Sequence, residues 1–278
     1  MKQPLFSCVI PVKGARPFFD EAFNSLLAQG IGDDLEIIVQ DASEGRGKRE
    51  EIRGEREEGK GVRWFCESDN GQSDALNKGF AKANGEWLFW LNADDVLLPG
   101  ALNKVAALIK SSSSNSLNWI AGNQLLINDA GKVVGCSVGN GWHSWLYRNS
   151  VPHVYGPSSF FKRELFEKVG GCDTSLNYCM DWDLWIKFMK SGAQYLRIGD
   201  YVWAQRQWSG SKTQRPKSKI ESDKQWAEIK GMLERNGVKT TLAGTIAVRL
   251  WRFFNGNIVR QFVDRIKFSR SLKSKSKR

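Results

Sequence analysis

ESDNGQSDALNKGFAKANGEWLFWLNADDVLLPG, Glu67 to Gly100, is the most informative segment of the chain. Trp87 to Leu91 is a short apolar run of the kind that forms a fully buried strand. It stops abruptly at Asn92-Ala93-Asp94-Asp95. Ahead of it, Gln72 to Ala83 carries Ala75, Leu76, Phe80 and Ala83 at helical spacing, which predicts a helix with Ser73-Asp74 near its start. A helix feeding a buried strand that delivers adjacent carboxylates to its carboxyl edge is a unit of an open α/β sheet, and such sheets bind ligands at that edge. Hard divalent cations that hold a diphosphate take carboxylate oxygens. The stretch therefore reads as a metal–diphosphate site. The plain alternative is an Asp-Asp helix cap or turn.

Outward from this unit, the pattern repeats. Leu5 to Val12 predicts a first strand, closed by Pro11 and Gly14. Pro17 opens a helix with Phe19, Phe23, Leu26 and Leu27 at helical spacing. Leu35 to Val39 is a second strand ending at Gln40-Asp41, and Val62 to Cys66 a third; Ser43 to Gly61 between them is polar, Gly-rich loop. Pro99 starts a helix that runs to about Lys110. In the second half, Trp119–Ile127 and Lys132–Val138 around Asp129-Ala130-Gly131 predict a hairpin. Phe160 to Val169 reads as a strand running into a helix, Asp181 to Lys190 as an aromatic-rich helix, and Tyr201 to Gln207 as a strand. Strands alternating with helices predict an α/β fold with a central mixed, mostly parallel sheet flanked by helices. The expected organisation is a domain over 1–215 and a helical, basic, amphipathic segment over 216–278.

Composition sets bounds. With 278 residues, 41% hydrophobic content and 12 Trp, the chain has ample material for one large core. No run of 18 uncharged apolar residues suggests a spanning helix, and no signal-peptide pattern precedes the first strand. Five widely spread cysteines without C-x-x-C spacing argue against structural zinc or a disulfide framework and fit a reduced, cytoplasmic compartment. The net charge of +11 is concentrated at one end: from Thr245 onward ten Lys/Arg face one acid, Asp264, a net of +9, leaving +2 for the rest. Trp251, Phe254, Ile258, Phe262 and Ile266 fall at three- and four-residue spacing among those basic residues. Such a helix either lies on an anionic membrane surface or packs its stripe on the body, and both readings stand. No nucleic-acid partner is expected.

Six blocks in order, VIPVKGARPFFDEAFNSLLAQ, EIIVQDAS, GQSDALNKGFAKANGE, NADD, SSFFKRELFEKVGGCDTSL and MDWDLWIKF, resemble the successive signatures of family 2 glycosyltransferases with the GT-A fold, over roughly residues 5 to 215. The resemblance implies an inverting transfer of a sugar from a nucleotide diphosphate sugar, UDP-sugar being expected, to a hydroxyl of a glycan or lipid-linked acceptor. It implies that backbone at Pro11 and Val12 surrounds the nucleotide and that Asp41 meets the nucleobase. Asp69, Gly71 and Gln72 stand at a helix N-terminus, which offers N–H groups and a positive dipole end to phosphate or ribose; Asp74 either caps that helix or meets ribose hydroxyls. Asn92-Ala93-Asp94-Asp95 matches the family's DxD motif with Asn in the first place, so Asp94 carries most of the contact to Mn²⁺ or Mg²⁺, with Asp95 and Asn92 in support.

Asp181 is the expected general base and Asp183 the alternative, in a motif where Met180 replaces a preceding acid. Trp182 would contact the acceptor, or belong to the core, as Trp185 would. Arg206 and Lys212 lie in a segment where the family closes a loop over the diphosphate, and Trp208 holds the usual His place. His143 and His153 form no recognisable pattern, and their aromatic-rich segment, Gly141 to Pro157, would line the acceptor cleft. A sugar-nucleotide pyrophosphorylase and a catalytically silent glycan-binding or membrane-scaffold protein are the competing readings. The first would want a Gly-rich basic loop after the first strand, and Lys13-Gly14-Ala15-Arg16 is a poor version of one.

Overall fold

The computed structural model describes residues 3–14, 17–43, 61–111, 116–141, 145, 153–211 and 218–275, with side chains to 268. Four parallel strands form its first half: β1 (Phe6–Val12), β2 (Leu35–Asp41), β3 (Val62–Cys66) and β4 (Trp87–Trp90), in spatial order β3-β2-β1-β4. β1 and β2 are apolar almost throughout because both faces are covered, as parallel sheets require. The register pairs Val12 with Asp41, so both strands end at the same edge. β4 ends three residues short of it, with Trp90 opposite Val9, and releases Asn92–Asp95 toward that edge.

The sheet then becomes mixed. β4 pairs antiparallel with β8 (Ser159–Lys162), β8 with β6 (Leu117–Asn128), and β6 runs parallel to β9 (Gln194–Gln207). β5 (Val96–Leu97) is a two-residue strand on the outer edge of β9, and β7 (Val133–Ser137) completes the expected hairpin with β6. β9 starts seven residues before the expected Tyr201. Its N-terminal half alternates exposed and covered positions and carries Gly199, so it lacks an apolar run.

Helices cover both faces. α1 (Phe19–Leu27) and α3 (Ala101–Ser111) bury Phe19, Phe23, Leu26, Leu102 and Val105 on one side. Leu27, expected on the apolar stripe, instead faces outward. On the other side lie α2 (Gln72–Ala81), α4 (Arg163–Lys168), α5 (Met180–Lys190) and α6 (Lys219–Arg235), which share a second apolar layer. A stack of three indoles ties that layer together: Trp185 of α5 lies between Trp90 and Trp119, with ring centroids 5.7 and 5.2 Å away. Such pairs contribute about 0.5–1.5 kcal/mol each beyond area burial. Trp185 is thus a core residue.

The charged segment after residue 244 is two helices, not one continuous helix. α7 (Leu242–Phe254) stops at Asn255, Gly256 takes φ +72°, and α8 (Asn257–Lys275) follows. A left-handed residue after a helix is where glycine costs least. Among the described residues no helix is long and apolar enough to cross a membrane. The five cysteines are free thiols; four are buried and Cys66 is exposed.

Candidate active site

Two clefts open at the carboxyl edge of the parallel strands and run into one another. The first, of about 370 Å³, is lined by Pro11, Val12 and Lys13 after β1, Asp69, Gly71 and Gln72 at the start of α2, and Asn92 through Asp95. The second, of about 220 Å³, contains Asp181, Met180, Tyr178, Trp90, Trp203 and Gln225. Gln72, Asn92, Asn177 and Gln205 line both, so they form the junction.

The loop after β4 is built by hydrogen bonds that divide its three polar residues. Gln72 Nε2 donates to Asn92 Oδ1 at 2.8 Å, and Asn92 Nδ2 donates to Asp95 Oδ2 at 2.7 Å. Asp95 Oδ1 accepts the Arg206 backbone N–H at 2.9 Å, and its side chain is buried. Burial first, then the charge of Asp94, pushes the Asp95 carboxyl up to about 8. Asp94 lines the first cleft, and its Oδ2 accepts the Trp208 indole N–H at 2.9 Å. Trp208 also meets Phe18 edge-on at 5.4 Å.

Arg206 is a strut under this loop. Its side chain is 0% exposed. Nε donates to the Asp94 carbonyl, Nη1 to the carbonyls of Asn128 and Asp129, and Nη2 lies 2.5 Å from Glu21 Oε2. The guanidinium stacks over Phe18 at 4.2 Å. Four of its five N–H donors are thus engaged within the fold, and it does not line the cleft. Lys212 lies outside the described residues, as does His143.

At the head of α2, Asp69 Oδ1 accepts the Gly71 N–H at 2.9 Å, and the helix N-terminus faces the first cleft. Asp74 turns away: it accepts the Asn70 N–H and pairs with Lys78 at 2.9 Å, and that lysine holds its carboxyl low. Asp41 is fully buried at the end of β2. One of its oxygens accepts the Ser43 N–H at 2.7 Å, while Oδ2 has no hydrogen-bond partner among the described residues.

The two carboxylates of α5 part company. Asp181 lies in the second cleft, in the first turn of the helix, accepting its neighbour's N–H at 2.9 Å. Gly156 stands beside it: a Cβ there would sit 2.8 Å from the Trp90 ring and 3.6 Å from Asp181 Oδ2. Any larger residue would narrow the space in front of the carboxylate. Asp183 is buried on the helix's other side, bonded by Asn236 at 2.9 Å and paired with Lys187 at 2.8 Å. Trp182 is half-buried against the apolar layer and lines neither cleft.

The segment before α5 is held by α6. Glu228 accepts the N–H groups of Asn177, Tyr178 and Cys179 at 3.0, 2.6 and 3.1 Å. Sequence reading missed Glu228 and Gln225, which sit in a polar helix with no motif. It also missed Lys13, directly after Pro11-Val12, and Gln205, which alternation along β9 points opposite to Arg206. Gly156 and Pro157 of the aromatic-rich segment do line the second cleft. His153 is mostly buried, and burial together with Arg252 brings its imidazole down to about 4.

A cleft at strand ends, met by a second cleft with its own carboxylate, lies where open α/β sheets bind their ligands. Residues 7–170 match the model of glycosyl transferase family 2, and the chain belongs to that family. It is 26% identical over 197 residues to an uncharacterized glycosyltransferase of Rickettsia typhi, covering 69% of this chain and 61% of that one. A PGL/p-HBAD biosynthesis glycosyltransferase of Mycobacterium bovis is 25% identical over 260 residues, 90% of this chain and 92% of that one. The chain spans only 32% of a related glycosyltransferase of Rickettsia felis. Among solved structures, a mannosyltransferase of Pyrobaculum calidifontis in complex with GDP-Man and Mn²⁺ superposes with TM-score 0.57 at 16% identity, covering 95% and 88% of the two chains. S. aureus TarS in complex with UDP-GlcNAc gives 0.56 at 16% identity, covering 74% and 59%. These likenesses carry the fold.

Proposed function

We propose that this glycosyltransferase moves a sugar from a nucleotide diphosphate sugar, UDP-sugar first among candidates, to a hydroxyl of a glycan or lipid-linked acceptor, with inversion at the anomeric carbon. The observation that carries the reading is the junction of the clefts, with Asp94 in one and Asp181 in the other. Donor diphosphate fits the first cleft, against the α2 N-terminus, whose free N–H groups and dipole favour an anion. The base fits beyond β1, toward Asp41, whose unpartnered buried oxygen suits an imino N–H of the nucleobase. Asp69 suits the ribose hydroxyls.

The acceptor occupies the second cleft. Its hydroxyl oxygen bonds to the anomeric carbon as the bond from that carbon to the diphosphate oxygen breaks; the hydroxyl proton passes to Asp181, and the electron pair leaves on the nucleotide diphosphate. Asp183 is less suited, because Asn236 and Lys187 already engage it away from the cleft.

The donor set suits Mn²⁺ or Mg²⁺ only in company with the nucleotide. Among the described residues no three acidic, His or Cys groups gather. Asp94 offers a carboxylate and Asn92 an amide oxygen, while Asp95 is buried and already accepts from Asn92 and Arg206. Diphosphate and water oxygens must complete the shell, as hard cations allow. When bound, the ion would neutralise charge on the leaving diphosphate. Asp94→Ala should abolish any Mn²⁺-dependent gain in UDP affinity at an unchanged melting temperature; an unchanged gain would remove Asp94 from the metal assignment.

The basic tail favours an acceptor at an anionic membrane surface and a peripheral placement on its cytoplasmic face. The silent-binder reading draws on the Trp208 bond to Asp94, which occupies one carboxylate oxygen. A thermal-shift panel of nucleotide sugars with and without Mn²⁺ tests the proposal, since a specific donor stabilises the fold by mass action. One donor should stand out and gain from Mn²⁺. A panel with no shift overturns donor binding.

A further inference from the structure

The tail helices are inverted in their amphipathicity. A helix on a soluble body normally turns apolar residues inward and polar ones to water. α7 does the reverse. Its outward arc carries Leu242, Ile246, Leu250, Phe253 and Phe254, with Leu242 79% and Phe254 81% exposed. Its inward side carries Gly244, Val248 and the buried Arg252, which donates to Asn140 Oδ1 at 2.8 Å and the Val138 carbonyl at 3.1 Å. Trp251, expected to project with Phe254, instead meets Trp145 edge-on and covers Val248.

α8 repeats the inversion. Tyr201 donates to Asp264 Oδ2 at 2.7 Å and Arg260 donates to the Gly199 carbonyl at 2.5 Å, so the docked side is largely polar, with Phe268 its apolar contact on Tyr201. Ile258, Val259, Phe262 and Val263 face outward. Exposed Arg265 and Lys267 flank them.

We propose that the outward faces of α7 and α8 form one membrane-docking element that lies in an anionic lipid surface while the polar inner sides fix it to β6, β7 and β9. This rests on the reading of a membrane-held acceptor and specifies the element that reaches it. Neither helix can span a bilayer, so the element is interfacial. Charge chooses the occupant. The segment from 245 is +9, which a second copy of the chain would bring against its own +9, whereas anionic headgroups neutralise it. The division of labour also answers the choice left by the sequence: the tail both packs on the body and presents a lipid-facing side, through different residues.

The test uses the full chain with vesicles of phosphatidylcholine, with and without phosphatidylglycerol. The protein should sediment with the anionic vesicles, less so at high salt. Leu250→Glu with Phe253→Glu should weaken that binding by about tenfold or more, since burial of two large apolar groups is lost. Arg249→Glu with Arg265→Glu, which lowers the segment from +9 to +5, should reduce that binding and its salt dependence. Both pairs are exposed, so melting temperatures and UDP-induced shifts should stay at wild-type values, and those shifts report on donor binding separately. Indifference of the wild type to anionic vesicles overturns the proposal. So does equal sedimentation of Leu250→Glu/Phe253→Glu, or a dimer in sedimentation velocity that those substitutions dissolve without any vesicle binding.

Discussion

At the scale of single residues, the loop after β4 divides work among side chains that look alike in sequence. Asp94 opens to the cleft and Asp95 is buried beneath it, yet they are neighbours. Asp95 gives a pH signature whose sign can be worked out. An unfolded Asp titrates near 4, whereas this one is pushed up to about 8. Between those values the folded chain holds a proton that the unfolded chain has released, so stability falls as pH rises from about 4 through 8. His153, low in the fold, contributes the opposite slope below its ordinary value. The difference between wild type and Asp95→Asn isolates the carboxyl: the variant should flatten the decline in melting temperature between pH 5 and 8. Parallel curves for the two proteins would remove the buried-proton account.

Arg206 makes a second residue-scale case. As a phosphate ligand its loss would cut donor affinity; as a strut its loss orphans three backbone carbonyls and Glu21. Each orphaned buried acceptor costs about 1–3 kcal/mol. Arg206→Ala should therefore lose about 3 kcal/mol or more in denaturant unfolding, with UDP affinity of the folded fraction held within a few-fold. A stable variant with weakened UDP binding would return Arg206 to the phosphate.

At the scale of elements, α6 is the least legible contributor. Lys219–Arg235 is polar around most of its circumference and buries only Ile229, Met232 and Leu233, too few to signal a core helix. Glu228 nevertheless sets the segment that leads into α5 and so the position of Asp181. Removing its carboxylate by Glu228→Ala frees three N–H groups. Turnover with acceptor or water should fall more than tenfold, while UDP affinity changes little; Glu228→Gln should recover much of it. Equal losses in turnover and UDP binding would mean a general collapse instead.

The elements that were legible share a cause. β1, β2 and β4 are mostly apolar because helices cover both faces, and polar residues end or closely follow each on one edge: Lys13, Asp41 and Asn92. β5 was invisible because two residues carry no period, and the first half of β9 because Gly199 and exposed positions break its run. The lining of the first cleft was legible where strand ends supply it, at Pro11-Val12 and Asn92–Asp95. The site was illegible where it depends on tertiary approach, at Gln225 and Glu228.

At the scale of the whole molecule, the sheet divides into a parallel half that ends in the first cleft and a mixed half that brings β9, α5 and α6 to the second. The break at Gly256 folds the basic tail back onto β7 and β9 and turns its apolar stripe outward. Both clefts and the docked tail helices thus belong to one sheet.

The central claim is that an attacking hydroxyl in the second cleft loses its proton to Asp181 while a sugar in the first cleft inverts. Water can stand in for the acceptor. The most direct measurement is time-resolved proton NMR of the sugar released from the α-linked UDP-sugar that most stabilises the protein, for wild type and Asp181→Asn. The account predicts that the β-anomer forms first, and that Asp181→Asn slows release by about two to four orders of magnitude with unchanged UDP affinity. First release of the α-anomer, or an Asp181→Asn variant as fast as wild type, would contradict it.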